Sequence, residues 1–321
     1  MIRSTWVGLS VGCLGAWVGL FGCGVGVSTE TPAAEVGETG ETQRIDQCTG
    51  GEEAIFVVTS MRFTRVEAGI ADGFDLDGIV TGPGESTGCG FVDYTSPEGV
   101  PGIDSAFASL VPALELTEAQ AVEGLVQASI NSGELLLLLR VDGLSESWDS
   151  SGIPADDPCV RVEVIRGYGE PGIDSDGRIS AYQTFDRDPR RESSLVEGAS
   201  LSDGHLVARP FDLQLPLNVL NAELNLAMRD SALRVDTDPT GAVSGIFGGG
   251  VELATILAVA SEENVDPTLA GLIASLLTST ADLAPDSTGA CQQISMGFTI
   301  EARPAFLYDE PLTLDGNDSG R

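Results

Sequence analysis

Two short stretches carry spacing from which site chemistry can be built. Gly73-Phe-Asp-Leu-Asp-Gly78 is echoed a hundred residues later by Gly172-Ile-Asp-Ser-Asp-Gly177, and Pro-Gly-Ile-Asp-Ser also occurs twice, at 101–105 and 171–175. Alternating carboxylates ahead of a glycine are what a calcium loop requires. The oxygens gather on one side of a tight turn, and glycine adopts the positive φ that closes it. Asp75, Asp77, Asp174 and Asp176 are the candidate ligands. Both copies lack the outer members of an EF-type loop. The first position is Gly73 or Gly172, and the twelfth, where a bidentate acid belongs, is Gly84 or Gln183. The competing reading is a pair of Asp-Gly turns between strands. The missing outer ligands favour turns, so no cofactor is expected; calcium is the ion these carboxylates would take.

Other chemistry has less support. The only histidine, His205, follows Ser202-Asp203-Gly204, a turn signal, and no Gly-x-Ser-x-Gly elbow accompanies it. That places it on a rim rather than in a Ser-His-Asp site. Two carboxylates could hydrolyse glycosides, but 49 acidic residues offer no means of choosing two. Gly248-Gly249-Gly250 lacks the Lys-Ser/Thr ending of a phosphate loop.

Beyond Cys23 the cysteines are Cys48, Cys89, Cys159 and Cys291. They are too far apart for a zinc knuckle and contain no Cys-x-x-Cys. An even number in an oxidising compartment implies two disulfides. Three connectivities are open; Cys48–Cys291 with Cys89–Cys159 is preferred, since the first would join the domain's beginning to its last strand.

The elements that must position these residues read mainly as strands. Ala54–Thr59, Leu135–Val141, Val160–Ile165 and Ile294–Ala302 are apolar or alternating runs of strand length. From Phe211 to Val235 the alternation is clearest, with its parity changing at Val219-Leu220, the mark of a bulge or bend. Pro210 and Pro216 assign that strand to an edge. Gly241–Gly250 reads as a glycine-rich passage between strand and helix. Two helices are signalled. One has Thr117 and Gln120 as capping box and Gly133 as stop; the other has Asp266 as cap and Pro267 in its first turn. Parallel crossover units do not recur. The expected fold is mainly β (α+β): an antiparallel β-sandwich or bent sheet with two or three packed helices.

The chain's ends set its organisation. Arg3 precedes an uncharged apolar stretch that ends in Leu20-Phe21-Gly22-Cys23, the layout of a lipoprotein signal with Cys23 lipidated. Residues 1–22 are then the signal, 23–47 a Gly-, Thr-, Glu- and Pro-rich tether, 48–308 one disulfide-bonded β-rich domain, and 309–321 an acidic tail. Gly24 in place of Asp favours the outer membrane. All 16 basic residues are Arg, against 49 acids, for a net charge of −33. Arg3 leaves with the signal, so −33 becomes −34. Such a field repels nucleic acid, which is excluded as a partner, and attracts cations or basic partners. The membrane is engaged through the N-terminal lipid.

The lipobox, Gly73–Gly78, Gly102-Ile-Asp-Ser-Ala-Phe107 and Cys291-Gln-Gln-Ile-Ser-Met-Gly-Phe298 together resemble a group of uncharacterised acidic lipoproteins of GC-rich Gram-negative bacteria. The resemblance implies an envelope address and carries no activity. The expected function is therefore a membrane-tethered extracytoplasmic lipoprotein of structural or binding role. The alternatives are a hydrolase using acidic residues, and a carrier of apolar ligands suggested by the leucine-rich Phe211–Met228 surface.

Overall fold

The computed structural model describes residues 51–112, 121–144, 156–219, 222–237, 241–260 and 267–308. The expected leader, Cys23, Cys48, the tether, the helix caps at Thr117 and Asp266, and the acidic tail lie outside these residues. The chain order begins with β1 (Glu52–Phe63) and four short strands, β2 (Val66–Glu67), β3 (Ile70–Ala71), β4 (Tyr94–Thr95) and β5 (Pro101–Ile103). A 3₁₀ turn (Ala106–Ser109), helix α1 (Ala121–Ser132), β6 (Leu137–Leu144), β7 (Asp157–Tyr168), β8 (Thr184–Arg187) and β9 (Ser194–Ser202) follow. The remainder is β10 (His205–Val219), β11 (Ala222–Thr237), β12 (Val243–Glu252), α2 (Leu253–Ala260), α3 (Pro267–Thr280), β13 (Leu283–Pro285), β14 (Cys291–Pro304) and β15 (Phe306–Tyr308).

The long strands close on themselves. Following hydrogen bonds, the order is β1-β6-β7-β9-β10-β11-β12-β14 and back to β1, every pair antiparallel. This is an eight-stranded up-and-down barrel, each long strand pairing with the next in the chain. It corrects the expected sandwich or bent sheet: β7 pairs with both β6 and β9, and β14 returns to β1, so the long strands form one closed wall rather than two sheets packed face to face; the short β2, β3, β4 and β5 make a small separate sheet. Closure satisfies the edges that an open sheet leaves exposed.

Alternation sorts the two faces of the wall. Ile294, Met296, Phe298, Ile300 and Ala302 share one face of β14, all buried, while Thr299 and Glu301 between them are exposed. The buried set faces the barrel interior and merges with those of the other strands into one cluster. Ring centroids run Phe63–Phe298 at 4.9 Å, Phe298–Phe247 at 6.1 Å and Phe247–Phe211 at 6.1 Å, bridging four strands. Apolar inside and charged outside is the reverse of a membrane-spanning barrel, whose apolar band faces lipid. No described helix is long and apolar enough to cross a membrane. A second apolar layer covers part of the wall. Val57, Leu138 and Ile165 are paired across strands and fully buried on the outer side, and Ile179 and Phe185, from the segment after β7, are buried members of the same apolar cluster.

Three further expectations are corrected. The parity change at Val219-Leu220 separates two strands, β10 and β11, which pair as a hairpin rather than one bent strand. β10 is not an edge, since β9 pairs with it; yet β9 reaches only His205–Val207, so Pro210 and Pro216 fall where that side of β10 has no ladder to interrupt. The glycine-rich passage is itself strand β12. A Cβ on Gly245 would lie 2.0 Å from the Arg234 carbonyl oxygen, and one on Gly249 would lie 2.9 Å from that of Arg229. Glycine is there because β11 passes too close for a side chain. The helix stop at Gly133 is as expected, with φ +82° and its N–H donating to the Ile130 carbonyl at 3.1 Å.

Candidate functional site

Residues 64–111 form an insertion laid against the outer wall of β11, β12 and β14. Phe74 packs on Ala232 and Ile246. Thr64 Oγ1 lies 3.1 Å from Ser105 Oγ, and the Thr64 N–H donates to the Gly297 carbonyl at 3.0 Å. Cys89 is disulfide-bonded to Cys291 at the start of β14, with Cα atoms 5.9 Å apart. That bond overturns the expected partners of both residues. The insertion is what lies beside the first residue of β14.

The insertion brings acids together. Oxygens of Asp75, Asp77 and Asp104 can approach within 4.8 Å of one another. Asp75 Oδ1 accepts from the Gly78 N–H at 2.7 Å and Asp77 Oδ1 from the Ile79 N–H at 2.8 Å, so both close the expected Asp-Gly turn. Asp104 Oδ2 accepts from the Leu76 N–H at 2.7 Å and the Asp77 N–H at 3.3 Å. Behind them Asp282, buried, accepts from the Ser295 N–H at 2.7 Å and bonds the Ser295 hydroxyl, which accepts from the Ala106 N–H at 2.7 Å. Burial pushes the Asp104 carboxyl up to about 8, against the pull of the Leu76 N–H, and Asp282 up to about 7. Each carboxyl is anchored by backbone donors at the junction of insertion and barrel. Asp104 had been visible only as the second half of the Pro-Gly-Ile-Asp-Ser repeat. Nothing in its spacing announces that a bridge between Phe74 and Asp104 returns it to the first Asp-Gly turn.

The second Asp pair lies elsewhere and already has its cation. Asp174 Oδ2 is 3.3 Å from Arg303 Nη1, and Asp176 bonds Arg303 Nη2, which holds the Asp176 carboxyl below its ordinary range. The structure thus separates the four proposed calcium ligands, adding Asp104 to one pair and Arg303 to the other. Calcium and magnesium at equal ionic strength are expected to raise the melting temperature equally, by screening. The double change Asp174→Asn and Asp176→Asn is expected to leave that response unchanged. A saturable, calcium-only shift abolished by Asp77→Asn would assign the first cluster as a calcium site instead.

A separate feature of the outer wall is concave. A cleft of 340 Å³ is floored by two neighbouring rows that cross β1, β14, β12 and β11. One row pairs Ser60, Glu301, Ser244 and Asp236; the next pairs Arg62, Thr299, Ile246 and Arg234. Strand spacing sets neighbours in a row about 5 Å apart. Asp72 and Glu98 of the insertion overhang it, Asp72 lying 3.9 Å from Arg234 Nη2. Glu301 is engaged by Arg178 at 2.6 Å, and Asp236 by His205 Nδ1, which places the lone histidine at the rim. Arg62 has no ion-pair partner among the described residues. Sequence reasoning missed the cleft entirely, since its eight floor residues come from four strands and acquire a common face only through register.

No family model, curated protein or solved structure matches the chain.

Proposed function

We propose that this protein is a membrane-tethered extracytoplasmic lipoprotein whose barrel is a binding scaffold. The cleft in the outer wall of β1, β14, β12 and β11 would be its binding surface. The observation that carries the reading is that cleft: the row containing Arg62 and Arg234 lies beside the row containing Glu301 and Asp236, under Asp72 and Glu98. Guanidinium and carboxylate groups on adjacent rows complement a small zwitterion, such as a free amino acid or dipeptide, better than an ion of one sign. Binding is favoured over hydrolysis because the two carboxyls with strongly raised pKa, Asp104 and Asp282, do not line the cleft. One oxygen of each accepts from backbone, and the second oxygen of Asp282 bonds the Ser295 hydroxyl.

Two measurements test the reading. Titration calorimetry with amino acids and dipeptides is expected to find saturable binding that Arg62→Ala and Arg234→Ala each weaken about tenfold or more. Heat unaffected by both changes, or none at all, rejects the cleft. For the tether, Cys23→Ser is expected to leave the precursor uncleaved or release the protein from the membrane fraction. An unmodified mature N-terminus in mass spectrometry rejects lipidation.

A further inference from the structure

The barrel encloses one cation that the fold does not neutralise. Arg166 is 7 % exposed, near the end of β7. It pairs across the ladder with Leu137 and shares its face of β7 with Val160, Val162 and Val164, the face turned to the barrel interior. Its Nη2 donates to the Glu134 carbonyl at 2.7 Å, just past the C-terminal end of α1, where a cation is favoured. That contact accounts for one nitrogen. Nε and Nη1 are enclosed and have no hydrogen-bond partner among the described residues. Asp188 is the acid closest in influence, but its carboxylate is held by Arg190, at 2.9 Å from Nε and 3.3 Å from Nη2. Arg191 adds positive charge. Burial lowers the guanidinium pKa to about 10, so it is still a cation at neutral pH.

A buried charge without a counter-ion is among the most unfavourable groups a fold can hold. A hydrocarbon side chain would fill the same place without that cost. This chain carries 49 acids, yet none pairs with Arg166 among the described residues. Three N–H bonds, one on Nε and two on Nη1, point at no acceptor.

We propose that Arg166 is the anion-binding residue of a site inside the barrel, and that the site takes a carboxylate carrying an apolar body. The carboxylate oxygens supply the acceptors that Nε–H and Nη1–H lack. The apolar body follows from the surroundings: Leu137 beside the guanidinium, and Leu139, Val164 and the interior cluster beyond it. Helix α1 contacts both β1 and β10, on opposite sides of the barrel, and so lies across the end at which Arg166 bonds the Glu134 carbonyl. This site is distinct from the outer cleft, and the two can fail independently.

The test uses the full folded chain at pH 7.5 with sodium dodecanoate below its micellar concentration, and acetate at the same concentration. Dodecanoate is expected to raise the melting temperature by several degrees and acetate to leave it unchanged. Arg166→Met is expected to fold with a melting temperature equal to or above that of the wild type, because replacing an unpaired buried ion by a hydrocarbon is neutral or stabilising. The same variant is expected to lose the dodecanoate shift. An equal shift in the variant, an equal shift with acetate, or no shift with either compound overturns the proposal. Should Arg166→Met not fold, carboxyl-labelled dodecanoate decides on the wild type. A bound carboxyl resonance in slow exchange, displaced by unlabelled dodecanoate and not by acetate, supports the site; a single free resonance overturns it.

Discussion

Cys89→Ser is expected to destabilise the folded barrel by about 5 kcal/mol, the chain-entropy value for a crosslink between residues 202 positions apart. For a domain whose whole stability lies in the range of roughly 5–15 kcal/mol, this is a large share. The loss corresponds to a melting temperature lower by roughly 10–20 °C. The effect is local before it is global. The Cys89–Cys291 bond holds the insertion against β14, and the anchors that remain, the Phe74 contact, the polar junctions at Ser295 and Gly297 and the Asp72–Arg234 pair, are non-covalent. Limited proteolysis of the variant is therefore expected to nick the segment between Gly78 and Gly90 under conditions that leave the wild type whole. Non-reducing peptide mapping must return a Cys89–Cys291 peptide. A Cys89–Cys159 peptide, or a melting temperature unchanged by Cys89→Ser, contradicts the structure.

The second large effect is on pH. Asp104 and Asp282 have folded-state pKa values raised to about 8 and about 7, from 3.8. Across the window between those values the folded state binds more protons than the unfolded state, so stability falls as pH rises. The contribution is complete below about pH 4, falls progressively as the pH rises from there through 7–8, and is gone by about pH 9. Each pKa unit is worth about 1.4 kcal/mol, so the pair's loss between pH 5 and pH 9 is on the order of several kcal/mol. Two carboxylates ionising side by side, with Asp77 and Asp93 adding like charge to Asp104, strengthen the trend. Urea denaturation at pH 5.5, 7 and 9 measures it. Asp104→Asn keeps an acceptor for the Leu76 N–H and removes the titration, so its stability curve is expected to be flatter and to cross above the wild type at pH 9. Stability that climbs from pH 5.5 to pH 9 in the wild type would refute this account of the junction.

Local elements were largely legible in the sequence. The apolar run Ala54–Thr59 lies in β1, Val160–Ile165 in β7 and Ile294–Ala302 in β14, and Pro267 opens α3. These succeed because alternation, helix-start and helix-stop chemistry act over a few residues. The glycines of β12 misled for the same reason. Glycine signals backbone freedom locally, whereas Gly245 and Gly249 are set by the carbonyls of a neighbouring strand. Asp75 and Asp77 were recognisable as a turn, and they make one. Arg303 beside Asp174 and Asp176 was not foreseeable, because 129 and 127 residues separate it from the two carboxylates.

By itself, the sequence determined a water-facing polarity, a predominance of antiparallel strands and the Asp-Gly turns, because each is written in composition or in a period of two. It also supplied the expectations of a leader and lipidated Cys23. Only the tertiary structure decided that the sheet closes into a barrel, that Cys89 meets Cys291, that Asp104 joins Asp75 and Asp77, and that Arg166 points inward with no acid paired to it among the described residues. The reason is physical. A period of two states that a strand has a buried face, but a sandwich and a barrel bury that face equally well. The choice between them rests on whether β7 meets β9 and β14 meets β1, pairings set by register and twist that no single segment encodes.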